Sequence, residues 1–213
     1  VLGLSTPTTL ITENKALMKD FVYLASQSPR RRQLLEQMGV RYELLLATPD
    51  EDTELLERVM PGEAPLTYVK RVTQLKLEAA VLRMQKRQLP LAPVLCADTT
   101  VALGRNILGK PENEQDALRI LKTLSGQTHR VLTAVAVASG RRRLLSVSVS
   151  KVSFAPMKLS EIKAYVATGE PFGKAGAYGI QGLAACHISA IQGSYTGIMG
   201  LPIFETAELL KQL

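Results

Sequence analysis

The chain has 213 residues, 46% hydrophobic and 21% charged, a globular composition that excludes disorder, collagen-like repeats and a coiled coil. Lys and Arg number 26 against 19 Asp and Glu, and the resulting charge of +7 favours an anionic partner: nucleotide, nucleic acid or membrane surface. Two cysteines, Cys96 and Cys186, both in apolar stretches, exclude a disulfide scaffold and read as buried thiols of a reducing compartment. With two histidines and no Cys-x-x-Cys pair, a structural zinc site is not expected. No apolar run approaches the roughly 18 residues needed to span a bilayer. Val1 to Asp20 lacks the basic and apolar regions of a signal peptide and reads as a leader, partly disordered or peripheral, on a cytoplasmic protein.

In chain order, Phe21–Ala25 reads as a buried strand. Ser28 stands at an N-cap position before Pro29, so a helix follows from Arg30 to about Met38, with Leu34, Leu35 and Met38 inward and Gly39 ending it. Tyr42–Leu46 is a second strand, and Pro49, Asp50, Glu51, Asp52 and Glu54 make an acidic loop. From Thr67 to Arg87 a helix is expected with Val69, Val72, Leu75, Ala79 and Leu82 inward. Val94–Asp98 reads as a buried strand ending at Asp98, followed by a hairpin around Gly104-Arg105-Asn106. Asn113 caps a helix to about Leu124. Arg130–Ala138 and Leu144–Phe154 are long strands around Ser139-Gly140. In the second, the apolar set Leu145, Val147, Val149 changes parity before Val152 and Phe154, which predicts a bulge near Ser150-Lys151. Ser160 caps a short helix to about Ala167, residues 169–182 form a glycine-rich loop, and a last helix after Pro202 turns Phe204, Ala207 and Leu209 or Leu210 to one side. Strands mixed with helices throughout give an α/β class with a long mixed sheet.

Four places concentrate chemistry. The first is Ser26-Gln27-Ser28-Pro29-Arg30-Arg31 between strand and helix. A helix start offers free N–H groups and partial positive charge, and arginines sit poorly there unless an anion arrives, so hydroxyls and guanidinium groups at that spot suit a phosphate chain. The second is Asp98, which can hold a hard cation, orient a water or merely cap the next turn; Glu51 is a candidate partner carboxylate. The third is a pair of lysines, Lys76 beside the apolar stripe of its helix and Lys110 at the end of the hairpin. Gly104 to Lys110 imitates a Walker A loop, but Pro111 stands where Ser or Thr is needed, so that reading fails. The fourth is Lys174 to Gly182, where glycines permit close approach and Gln181 offers a donor and an acceptor to a base edge. His129 and His187 read as structural, and Arg141-Arg142-Arg143 as a solvated tip. A nucleic-acid-binding protein is the rival class, disfavoured by dispersed charge, 5% aromatic residues and no Trp for stacking.

Together these motifs resemble the Maf (septum-formation-like) nucleotide pyrophosphatases. Ser26 to Arg31, Ala97-Asp98-Thr99, Gly109-Lys110-Pro111, Leu124 to His129, Ala175 to Gly182, Gly193-Ser194-Tyr195, Gly200-Leu201-Pro202 and Glu205-Thr206 follow in family order, so the resemblance spans about Val22 to Leu213. It implies an α/β fold like that of inosine-triphosphate pyrophosphatase, an elongated mixed sheet with helices in two lobes around a central cleft, with residues 21–213 as the catalytic domain. It further implies hydrolysis of a nucleoside triphosphate to monophosphate and pyrophosphate with a divalent cation, Mg²⁺ or Mn²⁺, by a homodimer that takes no specific nucleic acid and no membrane. Carried over by motif, Asp98 is the proton acceptor, Glu51 and Asp98 hold the metal, and Ser26, Arg31, Lys76 and Lys110 hold the phosphates. Arg30, Thr99 and Gln181 match the branch that cleaves dTTP and UTP, whereas the 7-methyl-GTP branch has Trp, Gln and Glu there. Housecleaning of modified nucleotides and control of cell division are both compatible with that chemistry. Two departures are local: Gly109 replaces a bulkier residue, and Glu51 is placed by offset across a variable loop, with Asp50 adjacent.

Overall fold

The computed structural model describes residues 21–48, 51 and 55–213; the leader and Pro49, Asp50, Asp52 and Glu54 of the acidic loop lie outside the described residues. β1 (Val22–Leu24) is wholly buried and pairs in parallel with β2 (Tyr42–Leu44) and β3 (Val94–Leu103). β3 folds back through Gly104 (φ +59°) into β4 (Asn106–Leu108) and pairs antiparallel with β5 (Thr128–Ser139). β5 turns at Gly140 into β6 (Arg142–Phe154), whose far end carries the edge strand β7 (Ile188–Gln192). The result is one seven-stranded mixed sheet, ordered β2-β1-β3-β5-β6-β7 with β4 on β3.

Helices cover both faces, as α/β layering requires. The helices are α1 (Pro29–Gln37), α2 (Pro65–Lys86), α3 (Glu114–Leu124), α4 (Leu159–Ala167), α5 (Tyr195–Met199) and α6 (Ile203–Lys211). α2 lies on one face against Cys96, Ala102, Leu132, Ala134 and Ala136. The opposite face meets α1, α3, α4 and α6 through Leu34, Ile120, Ile162 and Leu209 against Leu95, Val101, Val135 and Val152. Each fully buried Leu or Ile there contributes about 1.5–3 kcal/mol of transfer free energy.

This double cover corrects several sequence expectations. No bulge occurs at Ser150-Lys151: the β5–β6 register runs unbroken from Thr128↔Ser153 to Ser139↔Arg142, and the one irregularity lies between β6 and β7 at Ser153/Phe154. The parity change instead reflects two cores, Leu145 and Val147 packing under α2 while Val152 and Phe154 face the other layer. α2 is rotated from the expected stripe, so Leu75 and Leu82 (55% accessible) are exposed while Thr73, Leu77, Ala80 and Arg83 are buried. α4 starts before Ser160, with Lys158 N–H donating to Glu161 Oε2 at 2.6 Å. In α6, Thr206, Leu209 and Leu210 are buried and Phe204 is 73% exposed. Cys96 is a buried free thiol whose pKa burial pushes up to about 12, but Cys186 is exposed in the short turn of helix Leu183–His187. Asp98 does not end its strand; β3 continues five residues beyond it because Thr99–Ala102 go on pairing with β5. No helix of the described residues is long and apolar enough to cross a membrane.

Candidate active site

The site forms where one strand loses its neighbour. β3 pairs with β1 only up to Leu95 and with β4 only from Val101, so its edge between them is unpaired while its other edge stays bonded to β5. Asp98 and Thr99 sit in that window. Strand alternation sends them to opposite faces, Asp98 toward α2 with Cys96, and Thr99 toward α1 with its cross-strand partner Thr133.

On the α1 side, the chain leaves β1 through Ser26, and Pro29 opens the helix with no acidic residue in its first turn. Ser28 occupies the N-cap position, but its side chain makes no cap bond; its N–H instead donates to Ser26 Oγ at 3.2 Å. Arg31 donates to Ser26 Oγ (3.0 Å), the Gly200 carbonyl (2.8 Å) and Thr99 Oγ1 (3.5 Å). Thr99 Oγ1 lies 3.0 Å from Thr133 Oγ1, which donates to the Gly197 carbonyl at 2.7 Å, so the hydroxyls form a directed chain behind the guanidinium. Burial pulls the Arg31 pKa below its ordinary value while Asp98 opposes that shift. Arg30 donates from Nε to the Met199 carbonyl at 3.2 Å. Gly200, at φ +123°, supplies a backbone conformation that L side chains rarely adopt, which brings its carbonyl to Arg31.

On the α2 side, Lys76 Nζ stands 2.6 Å from Asp98 Oδ1 and 2.6 Å from Glu57 Oε1, and Lys110 donates to Glu57 Oε2 at 2.9 Å. Burial pulls the Lys76 pKa down, but Asp98 and Glu57 outweigh it and leave it raised. For Glu57 burial alone would raise the pKa, yet Lys76 and Lys110 hold the carboxyl below its ordinary value. The short turn Leu55–Glu57 is anchored by Tyr68 Oη donating to the Glu57 carbonyl at 2.8 Å. Glu51 lies elsewhere. Arg83 grips it bidentately, Nη2 to Oε2 at 2.6 Å and Nε to Oε1 at 2.9 Å, while also donating to the Leu45 carbonyl at 2.9 Å. That fork holds the Glu51 carboxyl down to about 2.

A cavity of about 530 Å³ joins the two sides, within the range of small-ligand sites. Ser26, Arg30, Arg31, Lys76, Asp98, Thr99, Lys110 and Gln181 all line it, so the sequence-predicted residues converge there except Glu51. Lys174, at the head of the glycine-rich segment, lines it as well, and so do Glu57 and Arg83, which were not singled out from the sequence. Arg83 had a legible signal, since it follows Lys76 by two helical turns on the buried stripe; Glu57 had none to distinguish it from neighbouring carboxylates. Six cationic side chains face two carboxylates around this space, a balance that suits a polyanion. Among the described residues no group of three or more His, Cys, Asp and Glu could by itself hold a metal ion. Asp98 and Glu57 nevertheless share one ammonium as a common partner, and two carboxylate donors fit a hard cation of the Mg²⁺ type, which draws its other ligands from water and substrate phosphates. His129 does not line the cavity: 1% exposed, it stacks on Phe154 and lies 2.8 Å through Nε2 from Oη of Tyr178, which does.

Comparison with known proteins places this arrangement. A dTTP/UTP pyrophosphatase from a Polaromonas species is 65% identical over 90% of this chain and 95% of its own length. Proteins of the same name from Albidiferax ferrireducens and Cupriavidus pinatubonensis are 62% and 61% identical, covering 91% and 92% of this chain and 97% and 98% of their own. Among solved structures, the Ham1 protein of Staphylococcus aureus aligns over 64% of this chain and 73% of its own at 12% identity, with a TM-score of 0.42, too distant to assign anything. The family model described as Maf-like protein matches residues 21–213, from the first strand to the last helix and including every residue that lines the cavity, and the chain belongs to that family.

Proposed function

We propose that this protein hydrolyses dTTP and UTP to the nucleoside monophosphate and pyrophosphate, with Mg²⁺ or Mn²⁺ held by Asp98 and Glu57. The carrying observation is the Lys76 ammonium between those two carboxylates, in a cavity otherwise crowded with cations. The names of the Polaromonas and Cupriavidus relatives support the substrate class. When bound, the divalent cation screens triphosphate charge and acidifies its bound water.

The chain's own residues supply the rest. Water adds to the α-phosphorus, the bond from that phosphorus to the α–β bridging oxygen breaks, and pyrophosphate leaves with the bond's electron pair. On this reading Asp98 accepts the proton of the attacking water, and Lys76 and Lys110, which bond Asp98 and Glu57, stabilise the negative charge that grows on the leaving group. Arg31, pre-aimed by Ser26, Thr99 and Gly200, holds phosphate oxygens without reorganising. Arg30, Thr99 and Gln181 select the pyrimidine. Glu57 takes the metal-holding place expected of Glu51, whose oxygens are committed to Arg83. On this reading the enzyme acts in the cytoplasm, as a homodimer, in clearing modified pyrimidine nucleotides or restraining division.

The test is pyrophosphate release from a panel of dTTP, UTP, CTP, GTP and 7-methyl-GTP with Mg²⁺ and Mn²⁺. dTTP and UTP should lead, and Asp98→Asn should cut turnover about 10²–10⁴-fold while nucleotide binding persists. Near-normal turnover in that variant removes Asp98 as proton acceptor, and preference for 7-methyl-GTP overturns the specificity.

A further inference from the structure

The glycine-rich segment that carries Gln181 is closed by its own turn, Gly182 N–H donating to the Gly179 carbonyl at 3.1 Å, and two further bonds hold that turn symmetrically from outside. Two residues before Gln181, the Gly179 N–H donates to Tyr165 Oη at 3.4 Å. Two residues after it, the Leu183 N–H donates to Glu170 Oε2 at 2.9 Å. Tyr165 Oη in turn donates to Glu170 Oε1 at 2.8 Å, so both supports end on one carboxylate. The carboxylate lies directly against Gly182: a Cβ there would stand 2.2 Å from Glu170 Oε1. The Glu170 carbonyl also accepts from Lys174 Nζ, which ties the other end of the cavity-lining loop to the same residue. Burial, first, and the nearby Arg30 pull the Lys174 pKa below its ordinary value, consistent with an ammonium packed into the cavity wall.

We infer that Glu170, with Tyr165, is a positioning residue for base selection: the pair clamps Gly179 and Leu183 and thereby fixes where Gln181 presents its amide to the nucleotide base. The inference rests on the reading that Gln181 contacts the base. Glu170 does not line the cavity, so it acts through the segment rather than on the substrate. An amide that must be read by one or two hydrogen bonds discriminates only if its backbone is held in place beforehand, because a mobile reader adapts to the wrong base as readily as to the right one. α4 contributes Tyr165 from its buried face, so the clamp is referred to the core rather than to another loop.

The test compares kcat and KM for dTTP, UTP, CTP and GTP in the full chain and in Glu170→Gln, Tyr165→Phe and Gln181→Ala. In Glu170→Gln one acceptor oxygen remains for two donors, and preference for dTTP over CTP should fall at least about tenfold, carried by KM for dTTP, with kcat within about threefold of the parent. Tyr165→Phe, which keeps the Leu183 bond, should lose less, and it stands in should Glu170→Gln fail to fold. Adding Glu170→Gln to Gln181→Ala should cost no further preference, since both act through one contact. If Gln181→Ala alters preference but neither clamp variant does, or if they lower kcat equally for every nucleotide, the clamp is refuted and the base reading stands. If Gln181→Ala leaves preference unchanged, the base reading itself falls and the clamp with it.

Discussion

Lys76 is the residue that lets two carboxylates share a half-buried site. Its ammonium bonds Asp98 and Glu57 at 2.6 Å each, which offsets the repulsion and desolvation of two carboxylates in one partly buried space. On the proposed reading, Asp98 and Glu57 are the two carboxylates that would hold the divalent cation. Glu51, by contrast, is spent on the Arg83 fork and the Thr48 hydroxyl at 3.2 Å. The two carboxylates therefore separate experimentally. Mn²⁺ binding, followed by electron paramagnetic resonance on protein with a non-hydrolysable nucleotide, should weaken at least about tenfold in Glu57→Gln and stay within about twofold in Glu51→Gln. The reverse pattern would return the metal to Glu51.

At the level of elements, the cleft follows from strand lengths. β1 has three residues and β3 ten, so β3 outruns its parallel neighbour and exposes an edge that β4 covers only further along. α2 closes one face of that window by turning a mixed stripe inward, Val69, Val72 and Leu77 for packing, Lys76 and Arg83 for charge. Its exposed leucines then carry little of the stability. Leu77→Ala should cost about 2–5 kcal/mol in urea unfolding, as buried leucines do, whereas Leu82→Ala should remain within about 0.5 kcal/mol. Equal losses at the two sites would mean that the helix face is assigned wrongly.

At the level of the molecule, stability should depend on pH through a buried group that does not itself line the cavity. His129 in β5 is sealed between Phe154 and Tyr178, its Nδ1 has no hydrogen-bond partner among the described residues, and burial pulls its pKa from 6.5 to about 4. The unfolded chain takes a proton at His129 below pH 6.5 that the folded chain refuses until about 4. This contribution is complete above pH 6.5 and is lost as pH falls toward 4, amounting to about 3 kcal/mol over the whole window. Urea unfolding between pH 7.5 and 5, above the ordinary carboxylate range, should show the decline, and His129→Phe should flatten it. An unchanged slope in that variant would assign the pH dependence to other groups.

The linear chain was sufficient for most of the strands and helices, though not for β7 or α5, and for the cap at Asn113, the long β5–β6 hairpin and most of the cavity residues. These depend on local periodicity, on turn chemistry and on motifs whose members keep their spacing: Ser26 to Arg31 must travel together because a single strand-to-helix turn presents them. What lay between distant segments was not legible. Glu51 and Glu57 are near neighbours in a carboxylate-rich stretch, and only the packing of the Leu55–Glu57 turn on Tyr68 decides which of them meets Lys76. The parity change in β6 looked like a local defect because a one-dimensional reading assigns a strand one buried face, whereas a sheet covered on both sides buries either. The inward face of α2 was misread for a related reason: hydrophobicity ranks Leu82 above Arg83, but a buried arginine with a carboxylate and a carbonyl to bond is satisfied there, and those partners come from segments more than thirty residues away. Periodicity and motif spacing are properties of neighbours along the chain, while the choice of charge partners is a property of neighbours in space, and only the folded sheet brings the second set together.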